Sequence, residues 1–484
     1  MQLHDLIGGS SNQADQSGAI EISGLTADSR RVAPGFLFAA LPGSQVDGAR
    51  FIPDAVRAGA VAVLAGRHIP PDVAVPVIQV DNPHRVFALA AARFAGRQPA
   101  TVVGVTGTSG KTSVVSFTRQ IWAAGGLEAA SLGTVGVVAP SGSRVGALTT
   151  PDPVALHEVL RDLADEGVSH LALEASSHGL HQHRLDGVRF AAAAFTNIGR
   201  DHLDYHPTPE AYFQAKLRLF AELLPAASPA IVDADRPESA RVIDVARGRG
   251  CPVIRVGRSG DAVRLLDATP DGFGQRLTLD LGAGCREILL PLAGAFQASN
   301  ALVAAGLALA AGMPADSVLQ GLERLAGARG RLELVGRTGD GALVFVDYAH
   351  KPEAIENALV ALRPFTKGRL SIVFGAGGDR DRGKRPLMGK AAVAHADRVY
   401  VTDDNPRSED PAAIRAEIMA GASGAIEVAD RCAAIEAAIA DLEAGDVLLV
   451  AGKGHETGQI VGQTVLPFSD HEVVAQALAG ERVA

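Results

Sequence analysis

Short apolar runs recur along the chain, and each of them is followed by a polar or glycine-rich segment. They lie at 101–105, 171–173, 191–195 and 230–232 in the middle of the chain, and at 343–346, 370–374, 398–401 and 446–450 further on. Helix-length segments separate the runs. Continuous apolar strands that alternate with helices indicate mostly parallel sheets covered on both faces. Polar residues at the carboxyl ends of such strands are candidates for ligand binding.

The strand at 101–105 is followed by a glycine-rich loop and a helix-compatible segment, and residues 104–113 read GVTGTSGKTS. Gly107 and Gly110 allow successive backbone N–H groups to face phosphate oxygens, while Lys111 adds a charge and Thr112 a hydroxyl for Mg²⁺. The usual phosphate-loop motif has four residues between its two glycines, whereas only Thr108 and Ser109 separate Gly107 from Gly110, so the match is not perfect. A plain glycine-rich turn is the alternative, but Gly-Lys-Thr after a strand favours a nucleoside triphosphate site.

Two glycine- and arginine-rich stretches, at 96–99 and 329–341, interrupt the pattern of strands and helices. A chain of 484 residues exceeds what one hydrophobic core usually supports, so we expect domain boundaries there. The predicted fold is α/β with three domains. A small α/β domain (1–98) precedes a central domain with the mostly parallel sheet of a P-loop ATPase (99–330), and a domain with a Rossmann-like sheet (331–484) follows.

Composition narrows the class of protein. Hydrophobic residues make up 47% of the chain and charged residues 20%, which is typical of a globular protein. The net charge of −9 disfavours nucleic acid as a partner. The first residues lack the features of a signal peptide, and the apolar run at 301–311 is too short to span a bilayer, so we expect a cytoplasmic protein with no membrane partner. The three cysteines show neither disulfide nor zinc spacing.

Several strand ends carry candidate ligands. Glu174 ends the apolar strand at 171–173 and could hold a Mg²⁺ ion that bridges nucleotide phosphates. A zinc site is the alternative for the nearby histidines, but no cysteine or well-placed carboxylate completes a tetrahedral set, so substrate contacts are favoured. The glycines at 375–378 resemble a dinucleotide fingerprint, but the third glycine position holds Arg380. The histidines in question are His178, His181, His183, His202 and His206.

An ordered set of motifs resembles the Mur ligase family over nearly the whole chain. The motifs are GTSGKTS, EASSHGLHQHR, TNIGRDHLDYH, Asn300, GRLE, DYAHKP, GGDRDRGKRP, TDDNPR and AGKGHE, with DSR and GSQVDG near the start. The resemblance implies a ligase that uses ATP and Mg²⁺ to join meso-diaminopimelate to UDP-N-acetylmuramoyl-L-alanyl-D-glutamate through an acyl phosphate, in cytoplasmic peptidoglycan precursor synthesis. We expect a monomer.

The resemblance also implies the role of individual residues. The residues implied to bind ATP are Gly107, Thr108, Ser109, Gly110, Lys111, Thr112, Ser113, Asn300, Arg331 and Asp347. The residues implied to bind metal ions are Thr112, Glu174, His202 and Lys216. The residues implied to be catalytic are Lys111, Glu174, His202 and Lys216. Lys216 is expected to carry a carbamate (N6-carboxylysine). The residues implied to bind the muramoyl nucleotide are Ala27, Ser29, Ser44, Gln45, Val46, Thr149, Thr150, Ser176, Gln182 and Arg184. The residues implied to bind diaminopimelate are Arg380, Asp404, Asn405, Pro406, Arg407, Gly452 and Glu456.

Three positions depart from the family pattern, and other functions remain open. Ser109 stands where the family commonly has Asn, and Ala27 and Leu148 stand where Leu and Asn are expected. The alternatives are a lysine-adding homologue, a folylpolyglutamate synthetase-like ligase, and a nucleotide-driven switch. For an isolated Lys216, an ordinary exposed lysine on a helix surface is also an alternative.

Overall fold

The computed structural model describes residues 1–8, 20–43, 46–67, 69–146, 148–282 and 284–480. Ser44 and Gln45 therefore lie outside the described residues. The chain forms two compact units, of which the first comprises Met1–Lys111, Thr118–Gly260 and Gly306–Pro314, and the second comprises Thr112–Phe117, Asp261–Ala305 and Ala315–Ala484. The domain boundaries expected from the sequence stay predictions.

The first unit begins with a four-stranded parallel sheet in the order β1-β2-β3-β4. Leu37 and Leu64 on its strands pack with Leu6 and Phe87 of the flanking helices. The strands are β1 (Gly24–Thr26), β2 (Phe36–Ala40), β3 (Ala62–Ala65) and β4 (Val77–Gln79), and the helices are α1 (Leu3–Ile7), α2 (Ile52–Arg57) and α3 (Pro83–Ala95).

A larger sheet follows in the same unit, built from β5 (Thr101–Thr106), β6 (Ala129–Gly133), β7 (Gly136–Ala139), β8 (Gly142–Arg144), β9 (His170–Glu174), β10 (Ala192–Phe195), β11 (Ala230–Asp233) and β12 (Val253–Gly257). Their order is β12-β11-β10-β5-β9-β6-β7-β8, and only the β6-β7-β8 pairs within it are antiparallel. The intervening helices are α4 (Lys111–Ala124), α5 (Pro153–Asp165), α6 (Ser177–His181), α7 (Pro209–Arg218) and α8 (Ser239–Gly248).

The second unit contains an antiparallel meander of β13 (Val263–Asp271), β14 (Gly274–Asp280) and β15 (Cys285–Leu290), followed by α9 (Ala295–Ala310) and α10 (Ala315–Leu322). Buried Leu277 and Leu279 alternate along β14 with Arg276 and Thr278, which is typical of a sheet with one face in water. The sequence pattern had not suggested this meander.

A six-stranded sheet completes the second unit. Its strands are β16 (Glu333–Arg337), β17 (Leu343–Asp347), β18 (Leu370–Phe374), β19 (Arg398–Val401), β20 (Ile426–Glu427) and β21 (Val447–Ala451), in the order β16-β17-β21-β18-β19-β20. All pairs are parallel except β16 with β17. The remaining elements are α11 (Pro352–Leu362), α12 (Lys384–His395), α13 (Pro411–Met419), α14 (Arg431–Ala440), the hairpin β22 (Gly458–Val461) and β23 (Thr464–Pro467), and α15 (Asp470–Ala479).

Alternate residues of the central strands enter separate cores on the two faces of this sheet. Phe345 and Leu449 belong to one core, whereas Val344 and Leu448 belong to the other. Burial on both faces explains why these strands are apolar without interruption. The predicted α/β fold with mostly parallel sheets is confirmed. Among the described residues, no helix is long and apolar enough to cross a membrane.

Candidate functional site

The loop between β5 and α4 is held in a conformation that presents backbone N–H groups. Gly107 and Gly110 have φ values of 147° and 86°, in the region that favours glycine. Thr196 donates from Oγ1 to the carbonyl oxygen of Ser109 at 2.6 Å, and Asn197 accepts the N–H of Ser109 at 3.0 Å. Side chains after β10 therefore fix the loop, and the replacement of Asn by Ser at position 109 leaves this backbone contact in place.

Two lysine side chains meet at one carbonyl group of the loop. Lys111 donates from Nζ to the oxygen of Gly107 at 2.8 Å, and Lys216 of α7 donates to the same oxygen at 2.7 Å. Lys216 is 1% exposed, so the alternative of a helix-surface lysine is wrong. Burial, followed by repulsion from Lys111, holds the pKa of Lys216 well below its usual value, which favours the neutral amine.

Aromatic and imidazole rings surround this pair of lysines. The ring of Tyr212 lies 4.5 Å from Nζ of Lys216, and its hydroxyl lies 3.1 Å from Oγ1 of Thr108. The rings of His178 and His202 lie 4.9 Å apart, edge to face. Burial, then the neighbouring histidines, lowers the pKa of His206 to about 4, and burial also lowers the pKa of His178. These two imidazoles are therefore neutral near pH 7.

Glu174, at the end of β9, carries a buried carboxylate. It is 1% exposed, and its two oxygens accept hydrogen bonds from the backbone N–H of Thr134 at 2.8 Å and from the Thr134 hydroxyl at 3.2 Å. Among the described residues no lysine or arginine pairs with it. A side chain on Gly133 would place Cβ 2.1 Å from Oε1 of Glu174, so glycine is required there. A buried carboxylate that pairs with no described lysine or arginine is suited to bind a metal cation.

The structure brings together several residues expected to bind the muramoyl nucleotide. Arg184 donates to Oε1 of Gln182 at 2.6 Å and to the carbonyl oxygen of Thr150 at 2.7 Å. The hydroxyl of Ser176 donates to that of Thr150 at 3.0 Å. Thr149 lies next to this group, with its hydroxyl 3.0 Å from that of Thr134. The cluster thus joins the surroundings of Glu174 through Thr134.

The other residues expected to bind this nucleotide lie around the four-stranded sheet. Ala27 and Ser29 follow β1, where the guanidinium of Arg30 lowers the pKa of Asp28 to about 2. Val46 is 40% exposed. In the described part of the chain, no hydrogen bond or ion pair joins these residues to the cluster around Arg184.

In the second unit, Asn300, Arg331 and Asp347 lie close together. Gln297 links the first two, since it accepts from Nδ2 of Asn300 at 3.3 Å and donates to the carbonyl oxygen of Arg331 at 3.0 Å. Asp347 accepts the N–H of Leu332 at 2.6 Å. Burial raises the pKa of Asp347, although Arg331 opposes the change.

The residues expected to bind diaminopimelate lie where β19 and β21 end. Oδ1 of Asp404 accepts the N–H of Asn405 at 2.7 Å, and Asn405 donates from Nδ2 to Oε2 of Glu456 at 2.9 Å. A Cβ at Gly452 would lie 2.7 Å from Oδ2 of Asp404. Glycine at position 452 therefore lets the loop after β21 approach this carboxylate closely.

Arg407 is held by the backbone of two neighbouring segments. Its N–H donates to the carbonyl oxygen of Ile460 at 3.0 Å, and its Nη1 donates to that of Gly378 at 2.7 Å. The φ of Arg407 is 51°, which is uncommon for a residue with a side chain and is typical of functional loops. Arg380 follows Gly378 on the same loop and is exposed. Both guanidinium groups thus belong to one pair of adjoining loops.

Several residues of these sites were not found from the sequence. Tyr212 and Thr134 are single residues without a motif of their own, and Asn197 lies in the motif TNIGRDHLDYH, from which no role was assigned to it. Lys453 lies inside AGKGHE and could have been singled out as a charged residue next to an apolar strand. Among the described residues, no group of three or more His, Cys, Asp or Glu side chains is arranged to hold a metal ion.

The phosphate loop and the parallel sheets define a nucleotide-binding α/β enzyme. Three family models match the chain: a Mur ligase catalytic domain over residues 21–95, a Mur ligase middle domain over 105–308, and a Mur ligase glutamate ligase domain over 330–454. The chain belongs to the Mur ligase family.

Relatives of known name are similar over their full length. The UDP-N-acetylmuramoyl-L-alanyl-D-glutamate–2,6-diaminopimelate ligase of Bradyrhizobium diazoefficiens is 59% identical over 483 residues, which cover 99% of each chain. A solved structure of an enzyme with the same name has a TM-score of 0.75 at 30% identity and covers both chains completely. A folylpolyglutamate synthase of Mycobacterium tuberculosis has a TM-score of 0.62 at 20% identity and covers 76% of this chain and 92% of its own, which shows a common fold.

Proposed function

We propose that the protein is an ATP-dependent ligase that joins meso-2,6-diaminopimelate to UDP-N-acetylmuramoyl-L-alanyl-D-glutamate in peptidoglycan precursor synthesis. The observation that carries the proposal is the buried Lys216 against Gly107 of the phosphate loop, because a nucleotide-driven switch has no need of a second lysine there. The names of relatives that match over their full length support the choice of substrates.

The chemistry explains why ATP is needed. A carboxylate is a poor electrophile, so an oxygen of the D-glutamyl γ-carboxylate attacks the γ-phosphorus of ATP and ADP leaves. The amine of diaminopimelate then attacks the acyl carbon, phosphate leaves with the former carboxylate oxygen, and the amine loses a proton to form the amide. The products are the amide, ADP and phosphate.

The phosphate loop supports the first step. Its N–H groups at Gly107–Ser113 bind the phosphates, and Lys111 exchanges the carbonyl of Gly107 for phosphate oxygen and stabilises the transferring group. Asn300, Arg331 and Asp347 are assigned to nucleotide binding by the family resemblance. The muramoyl nucleotide binds to Thr150, Gln182, Arg184 and their neighbours.

Mg²⁺ suits the residues of this site, because no lysine or arginine among the described residues pairs with the buried Glu174, and carboxylate, hydroxyl and phosphate oxygens are ligands that this ion prefers. Thr112, Glu174, His202 and a carbamate on Lys216 would hold it in one or two places. When bound, Mg²⁺ would neutralise charge on the phosphates. Thr134 orients the carboxylate of Glu174 through two hydrogen bonds.

Lys216 is suited to form a carbamate. Its lowered pKa favours the neutral amine, which adds to CO₂ and releases one proton to give a negatively charged carbamate. The modification gives Lys216 a negative charge beside the ammonium group of Lys111. Attraction between the two side chains then stabilises the modified side chain.

The amino acid is selected at the ends of β19 and β21. Diaminopimelate differs from lysine by a second carboxylate, and the forked donors of Arg407 and Arg380 suit it. Asp404, Glu456 and the loop at Gly452 bind the distal ammonium group, and Asn405 and Pro406 shape the loop. We further propose that the protein acts in the cytoplasm as a monomer.

Release of ADP tests the proposal. The purified protein is incubated with ATP, Mg²⁺ and the UDP-muramoyl dipeptide, with and without each amino acid, and with the dipeptide labelled by ¹⁸O in its γ-carboxylate. We expect ADP release that depends on diaminopimelate, with ¹⁸O transferred to phosphate. Preference for lysine indicates a lysine-adding homologue, and use of folate with glutamate indicates a folylpolyglutamate synthetase. ADP release without any amino acid indicates a switch. Each of these results contradicts the proposal.

A further inference from the structure

Lys453, in the loop after β21, is a lysine whose side chain is completely buried. Its Nζ lies 3.0 Å from Oδ1 of Asn405 and 3.2 Å from Oε2 of Glu456. Burial of an ammonium group is costly unless it is paired and hydrogen-bonded. The two partners of Lys453 belong to the proposed amino-acid site, whereas Lys453 itself has so far been given no role.

Lys453, Asn405 and Glu456 form a closed triangle of hydrogen bonds. The third side joins Nδ2 of Asn405 to Oε2 of Glu456 at 2.9 Å. The N–H of Ile460 also donates to Oδ1 of Asn405, at 2.9 Å. Because an ammonium group and a backbone N–H can only donate, they fix which end of the amide is oxygen. The amide nitrogen of Asn405 must therefore face Glu456.

We propose that Lys453 is a positioning residue for the amino-acid substrate, which holds Asn405 and Glu456 in their binding arrangement and favours a zwitterionic distal group over a bare ammonium. The proposal rests on the proposed function. Asn405 uses one amide hydrogen on Glu456, and the described residues supply no acceptor for the second one. A carboxylate of the substrate can accept it.

The charge of Lys453 gives the selectivity. An ammonium group bound against Glu456 is repelled by the buried cation behind that carboxylate. A substrate that also carries a carboxylate at the same end offsets this repulsion by attraction, whereas lysine has no such group. Lys453 therefore disfavours lysine more than diaminopimelate.

The test replaces Lys453 by Met, which has a similar shape without the charge, in the full-length enzyme. We expect the KM for diaminopimelate to rise at least tenfold and the KM for ATP to stay within twofold. The ratio of kcat/KM for diaminopimelate to kcat/KM for lysine should fall at least tenfold. The matched control Lys390→Met, at an exposed position of α12, should change none of these quantities.

A double-mutant cycle with Glu456→Gln shows whether Lys453 acts through Glu456. If it does, Lys453→Met should raise the KM for diaminopimelate much less in the Glu456→Gln background than in the wild type. Lys453→Gln keeps an N–H donor for Asn405 and should give an intermediate KM. If the effects of the two substitutions on the binding free energy of diaminopimelate simply add, the claim that Lys453 acts through Glu456 is overturned.

Other outcomes would also overturn the inference. They are an unchanged KM and ratio in Lys453→Met, an equal loss of kcat for both amino acids together with a lower melting temperature, and failure of both Lys453 variants to fold. If the wild type releases no ADP in response to diaminopimelate, the proposed function fails and this inference fails with it. If the wild type responds and the variants behave normally, only this inference fails.

Discussion

The side-chain nitrogen of Lys216 lies 2.7 Å from the carbonyl oxygen of Gly107, although the two residues are 109 positions apart. Lys111 donates to the same oxygen. Burial, and then repulsion from Lys111, holds the pKa of Lys216 well below its usual value. The site therefore disfavours a positive charge on Lys216, which favours the proposed conversion of its amine to an anionic carbamate.

Replacement of Lys216 by Ala should reduce ligation by at least roughly a hundredfold, because the site loses an oxygen-bearing group beside the transferring phosphate. Added short carboxylic acids should restore part of the activity. Lys216→Arg should stay inactive, since a guanidinium group forms no carbamate. The assay is ADP release, with Lys390→Ala on the surface as control. Full activity of Lys216→Ala, or no carbamate signal in ¹³C NMR after addition of labelled bicarbonate, would contradict the assignment.

Gly133→Ala should displace the carboxylate of Glu174, because the new Cβ would lie 2.1 Å from Oε1. We expect weaker Mg²⁺ dependence of ADP release, seen as a higher Mg²⁺ concentration at half-maximal rate. Gly248→Ala is the matched control, because a Cβ at that position meets no atom within 4 Å. An unchanged Mg²⁺ response in Gly133→Ala would indicate that Glu174 is not a metal ligand.

Arg407→Ala should weaken the binding of diaminopimelate by about 2–5 kcal/mol, because its carboxylate loses a charged partner. Arg407→Lys should recover only part of this, since an ammonium group lacks the forked geometry. The KM values for diaminopimelate and ATP separate this effect from a general loss of structure, and Arg286→Ala at an exposed position serves as control. A wild-type KM for diaminopimelate in Arg407→Ala would rule out the assignment.

His157 of α5 should make the first unit less stable in acid. Burial lowers the pKa of His157 to about 4, so the folded protein keeps it neutral while the unfolded chain binds a proton below about pH 6.5. Stability is complete above that pH and falls as the pH decreases toward 4. Between pH 7 and pH 5 the loss from this residue should be about 2 kcal/mol.

Urea unfolding followed by the fluorescence of the single tryptophan, Trp122, measures this loss. His157→Gln should make the stability less dependent on pH over that interval, and the exposed His4→Gln should not. An identical pH dependence in wild type and His157→Gln would show that His157 is not the group responsible.

Much of the architecture follows from local patterns in the sequence. The apolar runs at 101–105 and 171–173 became β5 and β9, and the glycines of the phosphate loop required the positive φ values that the structure has. The polar end of the strand at 171–173 identified Glu174, whereas Asp404 was identified through the family resemblance. The family resemblance, rather than periodicity, identified Lys216, because an isolated lysine on a helix gives no sign of its burial.

The features that were missed depend on tertiary packing or on a weaker pattern. The meander contains Asp271-Gly272, a dipeptide typical of hairpin turns, and the alternation of β14 could have predicted it. In contrast, the contact of Thr134 with Glu174 joins the turn after β6 to the end of β9, and no local sequence pattern indicates it. The same holds for Lys453, whose partner Asn405 lies 48 positions away.

The central claim is that the protein consumes ATP to join diaminopimelate to the UDP-muramoyl dipeptide, and mass spectrometry of the products tests it most directly. The reaction contains ATP, Mg²⁺, the dipeptide nucleotide, and equal concentrations of diaminopimelate and lysine. We predict a single new nucleotide whose mass equals dipeptide plus diaminopimelate minus water, with one ADP formed for each molecule of product. A lysine adduct as the main product, or ADP formed without any adduct, would contradict the account.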